Sequence, residues 1–121
     1  MARIVHLAMR ADDIDKASEF YSKVFGFTEV KVPGLRNTVR YLTDGTVHIA
    51  INQSRSGKNE GPCIDHFGVE VDNVENCIAE VGKYGCKVVS EPGKAVKFRA
   101  PDGIIVEAIP IGSKPGIGDG R

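Results

Sequence analysis

An internal repeat constrains this chain more than any other feature of its sequence. The segment "HLAMRADDIDKASEFYSKVFGF", which begins at His6, matches "HFGVEVDNVENCIAEVGKYG", which begins at His66. In each copy an acidic residue, Asp12 or Asp72, follows the histidine at the same spacing, and each copy ends in a turn and an apolar run, "TDGTVHIAIN" or "PDGIIVEAIP". Because such self-similarity indicates one structural unit used twice, the sequence predicts two similar modules.

Both copies predict the same order of elements. A short β-rich run comes first, "RIVHLAMR" in one copy and "IDHFGVEV" in the other. The pattern then changes to helical spacing in "DDIDKASEFYSKVFG" and "DNVENCIAEVGKYG", and three further β-rich runs follow in each copy. The predicted fold is therefore α+β, with two tandem βαβββ modules. One module alone buries too little surface to be stable, so we expect two curled sheets to close on each other.

The length of 121 residues predicts a single domain. Module one covers residues 1 to about 54 and module two covers residues from about 61 to 111, and the polar, turn-rich segment "NQSRSGKNEGP" joins them. Residues 112–121 are rich in glycine, and we expect them to form a flexible tail.

Charge and cysteine content narrow the possible partners and the compartment. Sixteen basic residues balance sixteen acidic ones, so we expect neither nucleic acid nor an anionic membrane surface as a partner. The N-terminus lacks the apolar core of a signal peptide, and no run approaches the roughly twenty apolar residues of a membrane span. Three cysteines without a Cys-x-x-Cys pair are typical of a reduced protein, which predicts a cytoplasmic location.

The three histidines and one glutamate predict a metal site. His6 and His66 occupy equivalent positions of the repeat, and His48 and Glu107 each follow a DG turn in the last strand of their copy. Side chains two apart in a strand share a face, so all four converge if the concave faces of the two sheets come together. The alternative is that they are ordinary polar residues of half-exposed strands, which explains one histidine better than three at related positions.

Three imidazoles and one carboxylate suit a divalent transition metal. The predicted architecture is therefore a curved half-barrel sheet with a central metal-binding cleft. The predicted cofactor is one divalent ion, and Zn, Ni, Co, Fe and Mn all remain open because this ligand set accepts each of them.

With these motifs the chain resembles the vicinal oxygen chelate superfamily, which includes glyoxalase I, methylmalonyl-CoA epimerase, extradiol dioxygenases and the fosfomycin- and bleomycin-resistance proteins. The resemblance covers nearly the whole chain and depends on the two histidine-led segments together with "HIAIN" and "APDGIIVEAI". It implies metal ligands at His6, His48, His66 and Glu107. It also implies a homodimer, in which a metal site can lie within one chain or be completed by both subunits.

Within the superfamily the spacing is most similar to glyoxalase I. "HLAMR" resembles its histidine (or glutamine)-x-x-x-arginine pattern, and "HIAIN" resembles its glutamate-x-x-x-asparagine pattern with His48 in place of the glutamate. This similarity implies that Arg10 and Asn52 bind substrate, including a glutathione adduct. Two departures leave the thiol specificity open, namely His48 itself and the short segment "EPGKAVKFRAPDG", where glyoxalase I has a longer loop.

The resemblance implies a metal-dependent lyase or isomerase that stabilises a metal-bound enediolate of a small carbonyl or thiol-adduct substrate. Glu107 is the first candidate for the base, and Glu70, which lies on the ligand face after His66, is the second. One alternative is an extradiol-type non-haem iron dioxygenase, which would use His6, His66 and Glu107, although a fourth ligand at His48 counts against it. The other is a non-catalytic protein that binds a drug or metabolite, and the full ligand set counts against that.

Overall fold

A computed structural model describes residues 2–54 and 61–113 of the chain. Its elements in chain order are β1 (Arg3–Ala11), α1 (Ile14–Phe25), β2 (Thr28–Glu29), β3 (Val39–Thr43), β4 (His48–Gln53), β5 (Cys63–Val71), α2 (Val74–Gly82), β6 (Val96–Arg99) and β7 (Ile105–Pro110). The strands form one seven-stranded sheet in the order β2-β3-β4-β1-β5-β7-β6. The predicted α+β class with two related modules is confirmed.

The chain divides into two compact units, and one of them runs from His6 to Asp65. Its helix α1 begins because the Asp13 side chain accepts a hydrogen bond from the backbone N–H of Lys16 at 2.9 Å. It ends at Gly26, which has a φ of 75° that favours glycine.

Alternation along β3 and β4 gives this unit two apolar layers. Ile14 of α1 packs with Leu42, Ile49 and Ile51 on the helix side of the sheet. The residues in between form a second layer, which contains Val39, Tyr41 and Ala50. His48 lies two residues before Ala50 in β4, so strand periodicity places it on the same face as this second layer.

The other unit contains the described residues before His6 and those from His66 onward. Its strand β5 has the same sequence of exposed and buried positions as β1, as the repeat predicts. Helix α2 begins in the same way as α1, because the Asn73 side chain accepts from the backbone N–H of Asn76 at 2.9 Å. Strand β7 pairs in parallel with β5 and antiparallel with β6.

The strand predicted in "CKVVSE" is reduced to a single bridge between Val88 and Phe98. The backbone N–H of Val89 still donates to the Lys97 carbonyl oxygen at 2.7 Å. The Lys97 N–H, however, donates to the Ser90 hydroxyl at 3.0 Å. A side chain thus takes the place of the backbone acceptor that a continued β-ladder would supply.

Parts of two predicted segments lie outside the described residues. These are residues 55–60 of the predicted joint and residues 114–121 of the predicted tail. The single-domain boundaries therefore stay a prediction. Across the described parts of the chain, no helix has the length and apolar character needed to cross a membrane.

Candidate metal centre

Three buried ionisable side chains come together in the structure. His6 of β1, His66 of β5 and Glu107 of β7 each offer one ligand atom, and these atoms lie within 4.8 Å of one another. The three residues are only 2%, 5% and 2% exposed, respectively. Because buried ionisable groups are costly unless they are paired or bind a metal, this grouping is a candidate metal site.

The geometry of the pair in β5 and β7 fits a shared cation. His66 Nε2 and Glu107 Oε1 are 3.4 Å apart. Two donors that each lie about 2.1 Å from one tetrahedral ion are separated by roughly 3.4 Å. Two imidazoles and a carboxylate are also a donor set that divalent transition metals accept. His6, His66 and Glu107 therefore fit the metal that the sequence predicts.

Strand register places Glu107 differently from the repeat argument. In the β1–β4 pair His6 lies opposite His48. In the β5–β7 pair His66 lies opposite Ile105, and Glu107 lies opposite Gly68, two positions further along. The predicted equivalence of His48 and Glu107 is therefore wrong in register.

The cause of the register difference is where each strand begins. His48 is the first residue of β4, whereas β7 begins at Ile105, so that Glu107 is its third residue. The register difference is two residues, one full period of a strand. His48 therefore stays on the face of His6, and Glu107 stays on the face of His66. The residue opposite Glu107 is Gly68, which has no side chain.

His48 is half-buried at the start of β4 and is not one of the three clustered residues. Its position beside His6 in the β1–β4 register keeps it on the same face of the sheet. Its role as a fourth ligand stays a prediction.

Both residues predicted to bind substrate have partners within the chain. The Arg10 guanidinium donates to Asp65 Oδ1 in a partly buried ion pair. The Asn52 amide donates to the Met9 carbonyl oxygen at 3.4 Å. Arg10 and Asn52 lie opposite each other in the β1–β4 register, as expected for residues on one face. A substrate anion that binds Arg10 would have to compete with Asp65.

Glu70 is also engaged by its surroundings. Its Oε1 accepts from Arg3 Nε at 3.2 Å, and its Oε2 accepts from the backbone N–H of Gly112 at 3.2 Å. Its side chain is 15% exposed. The carboxylate therefore joins the beginning of β1 to the segment after β7, and it is not part of the three-residue cluster.

The chain matches the Glyoxalase/Bleomycin resistance protein/Dioxygenase superfamily over residues 3–108. It belongs to this superfamily. A lactoylglutathione lyase of Arabidopsis thaliana is 27% identical in an alignment of length 129, which covers 93% of this chain and 46% of the relative. A probable lactoylglutathione lyase of Vibrio cholerae is 25% identical in an alignment of length 123, which covers 88% of this chain and 89% of the relative.

The chain spans about half the length of the plant relative and most of the bacterial one. Two solved structures of Streptomyces coelicolor proteins share the fold. A mutant of 4-hydroxymandelate synthase has a TM-score of 0.76 at 18% identity, with 93% of this chain and 38% of that chain covered. A methylmalonyl-CoA epimerase in complex with 2-nitronate-propionyl-CoA has a TM-score of 0.64 at 18% identity, with 92% and 98% covered.

Membership in the superfamily confirms the resemblance that the histidine-led segments indicate. One site neighbour that the sequence did not reveal is Asp65, the partner of Arg10. Strand parity assigns Asp65 to the face opposite His66, so the periodicity argument gives no reason to place it near Arg10. The signal that could have found it is charge, since Asp65 is an acidic residue directly before a predicted ligand.

Proposed function

We propose that this superfamily member is a metal-dependent lyase or isomerase of glyoxalase I type that acts on a small carbonyl or thiol-adduct substrate. The observation that carries the proposal is the buried cluster of His6, His66 and Glu107. It is supported by two relatives that bear the name lactoylglutathione lyase, although identity is only 27% and 25%.

The three clustered residues would hold one divalent ion, with His48 proposed as a fourth ligand because it lies beside His6 in register. When bound, such an ion acts as a Lewis acid that polarises the oxygens of a substrate and stabilises the negative charge that develops on them. The low exposure of the cluster strengthens these electrostatic interactions, because a protein interior screens charge less than water does.

Glu107 is the proposed base, and it takes the carbon-bound proton of the substrate on a carboxylate oxygen. His66 Nε2 lies 3.4 Å from Glu107 Oε1, a separation that suits two ligands of one ion. Glu70 is the weaker candidate, because Arg3 and Gly112 each hold one of its oxygens. Arg10 and Asn52 remain proposed substrate contacts, with Arg10 exchanging its bond to Asp65 for a bond to a substrate anion.

The direct test is turnover of methylglyoxal and glutathione. Protein loaded separately with nickel, zinc, cobalt or manganese is mixed with both compounds, and thioester absorbance is followed. We expect turnover with at least one metal, loss of turnover in Glu107→Gln and retention in Glu70→Gln. Absence of thioester with all four metals would remove this reaction. Entry of solvent deuterium at the α-carbon of an acyl thioester would then indicate an epimerase instead.

One observation supports a second candidate function, that of an extradiol-type dioxygenase. The cluster contains two histidines and one carboxylate, the set that non-haem iron oxygenases use. His48 lies outside this cluster, so it need not fill the position that oxygen requires. Oxygen consumption by ferrous protein supplied with a catechol tests this candidate, and its absence removes it.

We also propose a homodimer in a reducing, cytoplasmic setting. Cys63, Cys77 and Cys86 are all free thiols, which agrees with a reducing compartment. The dimer follows from what the resemblance implies about the superfamily. Sedimentation at several protein concentrations measures the mass, and a monomer at all of them would contradict the dimer.

A further inference from the structure

Lys97 lies directly beside the proposed base. In the antiparallel pair of β6 and β7, Lys97 is the register partner of Glu107. Residues opposite each other in such a pair project to the same face, with Cβ atoms roughly 5 Å apart. Lys97 is also half-buried rather than exposed. The Lys97 side chain therefore leaves the sheet on the face that carries the Glu107 carboxylate.

The Lys97 ammonium has no partner among residues 2–54 and 61–113. The bonds that Lys97 makes there involve its backbone, which pairs with Val89 and the Ser90 hydroxyl. If Glu107 binds the metal ion, its negative charge is neutralised there. An anionic group of the substrate would then be favourable beside the Lys97 ammonium.

The other cation on this face of β6 is less available than Lys97. Arg99, two residues further along the strand, donates to the carbonyl oxygen of Gly103 at 2.8 Å and so holds the turn before β7. Lys97 is thus better placed than Arg99 to bind a negatively charged group next to Glu107.

We infer that Lys97 binds a carboxylate of the substrate, so that the substrate of the proposed reaction is a carbonyl compound or thiol adduct that carries a carboxylate. The inference rests on the proposed function, since it assumes that substrate binds at Glu107. A charge-assisted bond from an ammonium to a carboxylate contributes more than a neutral one, so Lys97 would select charged substrates over neutral carbonyl compounds of the same size.

Binding of two three-carbon probes to nickel-loaded protein tests the inference. Lactate carries a carboxylate, whereas hydroxyacetone is neutral and of similar size, and both present neighbouring oxygens. We expect Lys97→Gln to weaken lactate binding about tenfold and to leave hydroxyacetone binding unchanged in calorimetric titrations. Lys97→Arg should recover most of the lactate affinity. Lys83→Gln removes an exposed lysine of the same charge and should change neither probe.

Equal lactate affinity in wild type and Lys97→Gln would overturn the inference, and so would an absence of lactate binding to wild type at millimolar concentration. A thermal melt of each variant shows whether it is folded. If Lys97→Gln does not fold, the lactate affinity of Lys97→Arg provides the test instead. Because binding is measured without turnover, a failed thioester assay would remove the glyoxalase reaction and leave the lactate result standing.

Discussion

The contacts of Glu70 lead to a prediction that separates a structural carboxylate from a catalytic one. Glutamine at this position keeps the shape but loses the charge that engages Arg3 and Gly112. The Arg3 contact adds little, because the Arg3 side chain is 71% exposed. The bond from Gly112 to a charged acceptor contributes more. We therefore expect Glu70→Gln to lower the free energy of unfolding by about 1–2 kcal/mol.

For a chain of this size that loss corresponds to a fall in Tm of roughly 4–8 °C. Calorimetric melts of the metal-loaded protein measure it, with Glu91→Gln, a change at an exposed residue, as the matched control. Metal content and turnover of Glu70→Gln should stay near those of wild type. An unchanged Tm combined with lost turnover would refute the reasoning and would make Glu70 the base.

Three further predictions concern single side chains. Glu107→Ala should weaken metal binding roughly a hundredfold. The free energy of binding a structural metal ion is about 10–16 kcal/mol, which is about 3 kcal/mol for each ligand of a typical set. An unchanged Kd in competition with a chelator would exclude Glu107 as a ligand. Asp13→Ala should cost about 1 kcal/mol in urea unfolding because α1 loses its cap, and equal midpoints would contradict this. Burial raises the pKa of the Cys77 thiol, so a smaller fraction of it is thiolate at pH 8. Iodoacetamide should therefore label the exposed Cys63 first, as followed by mass spectrometry. Faster labelling of Cys77 would argue against its burial.

The sequence predicts most of the fold because its pattern occurs twice. The same histidine-led strand, capped helix and DG-turn strand are present in both copies, so the elements predicted for one copy support those predicted for the other. Asp13 and Asn73 occupy equivalent positions of the repeat, and each caps the helix of its copy. The short strands are predicted less well. In the segment predicted as a strand before β6, only the bridge between Val88 and Phe98 forms, and the Ser90 hydroxyl accepts the Lys97 N–H.

The candidate site is predicted in its residue types and faces, but not in its register. Period-two alternation fixes the face of a side chain, whereas its position along the strand depends on where pairing begins. That is why Glu107 lies opposite Gly68 while His48 lies opposite His6. The pairing of Arg10 with Asp65 is likewise set by the tertiary structure, because no local pattern connects two residues so far apart in the chain.

The most direct test of the metal centre is a crystal structure of the metal-loaded protein with anomalous scattering measured at the metal edge. We expect one ion about 2.0–2.2 Å from an imidazole nitrogen of His6, an imidazole nitrogen of His66 and a carboxylate oxygen of Glu107. An ion bound elsewhere, or no ion at these three side chains after loading, would contradict the proposed site.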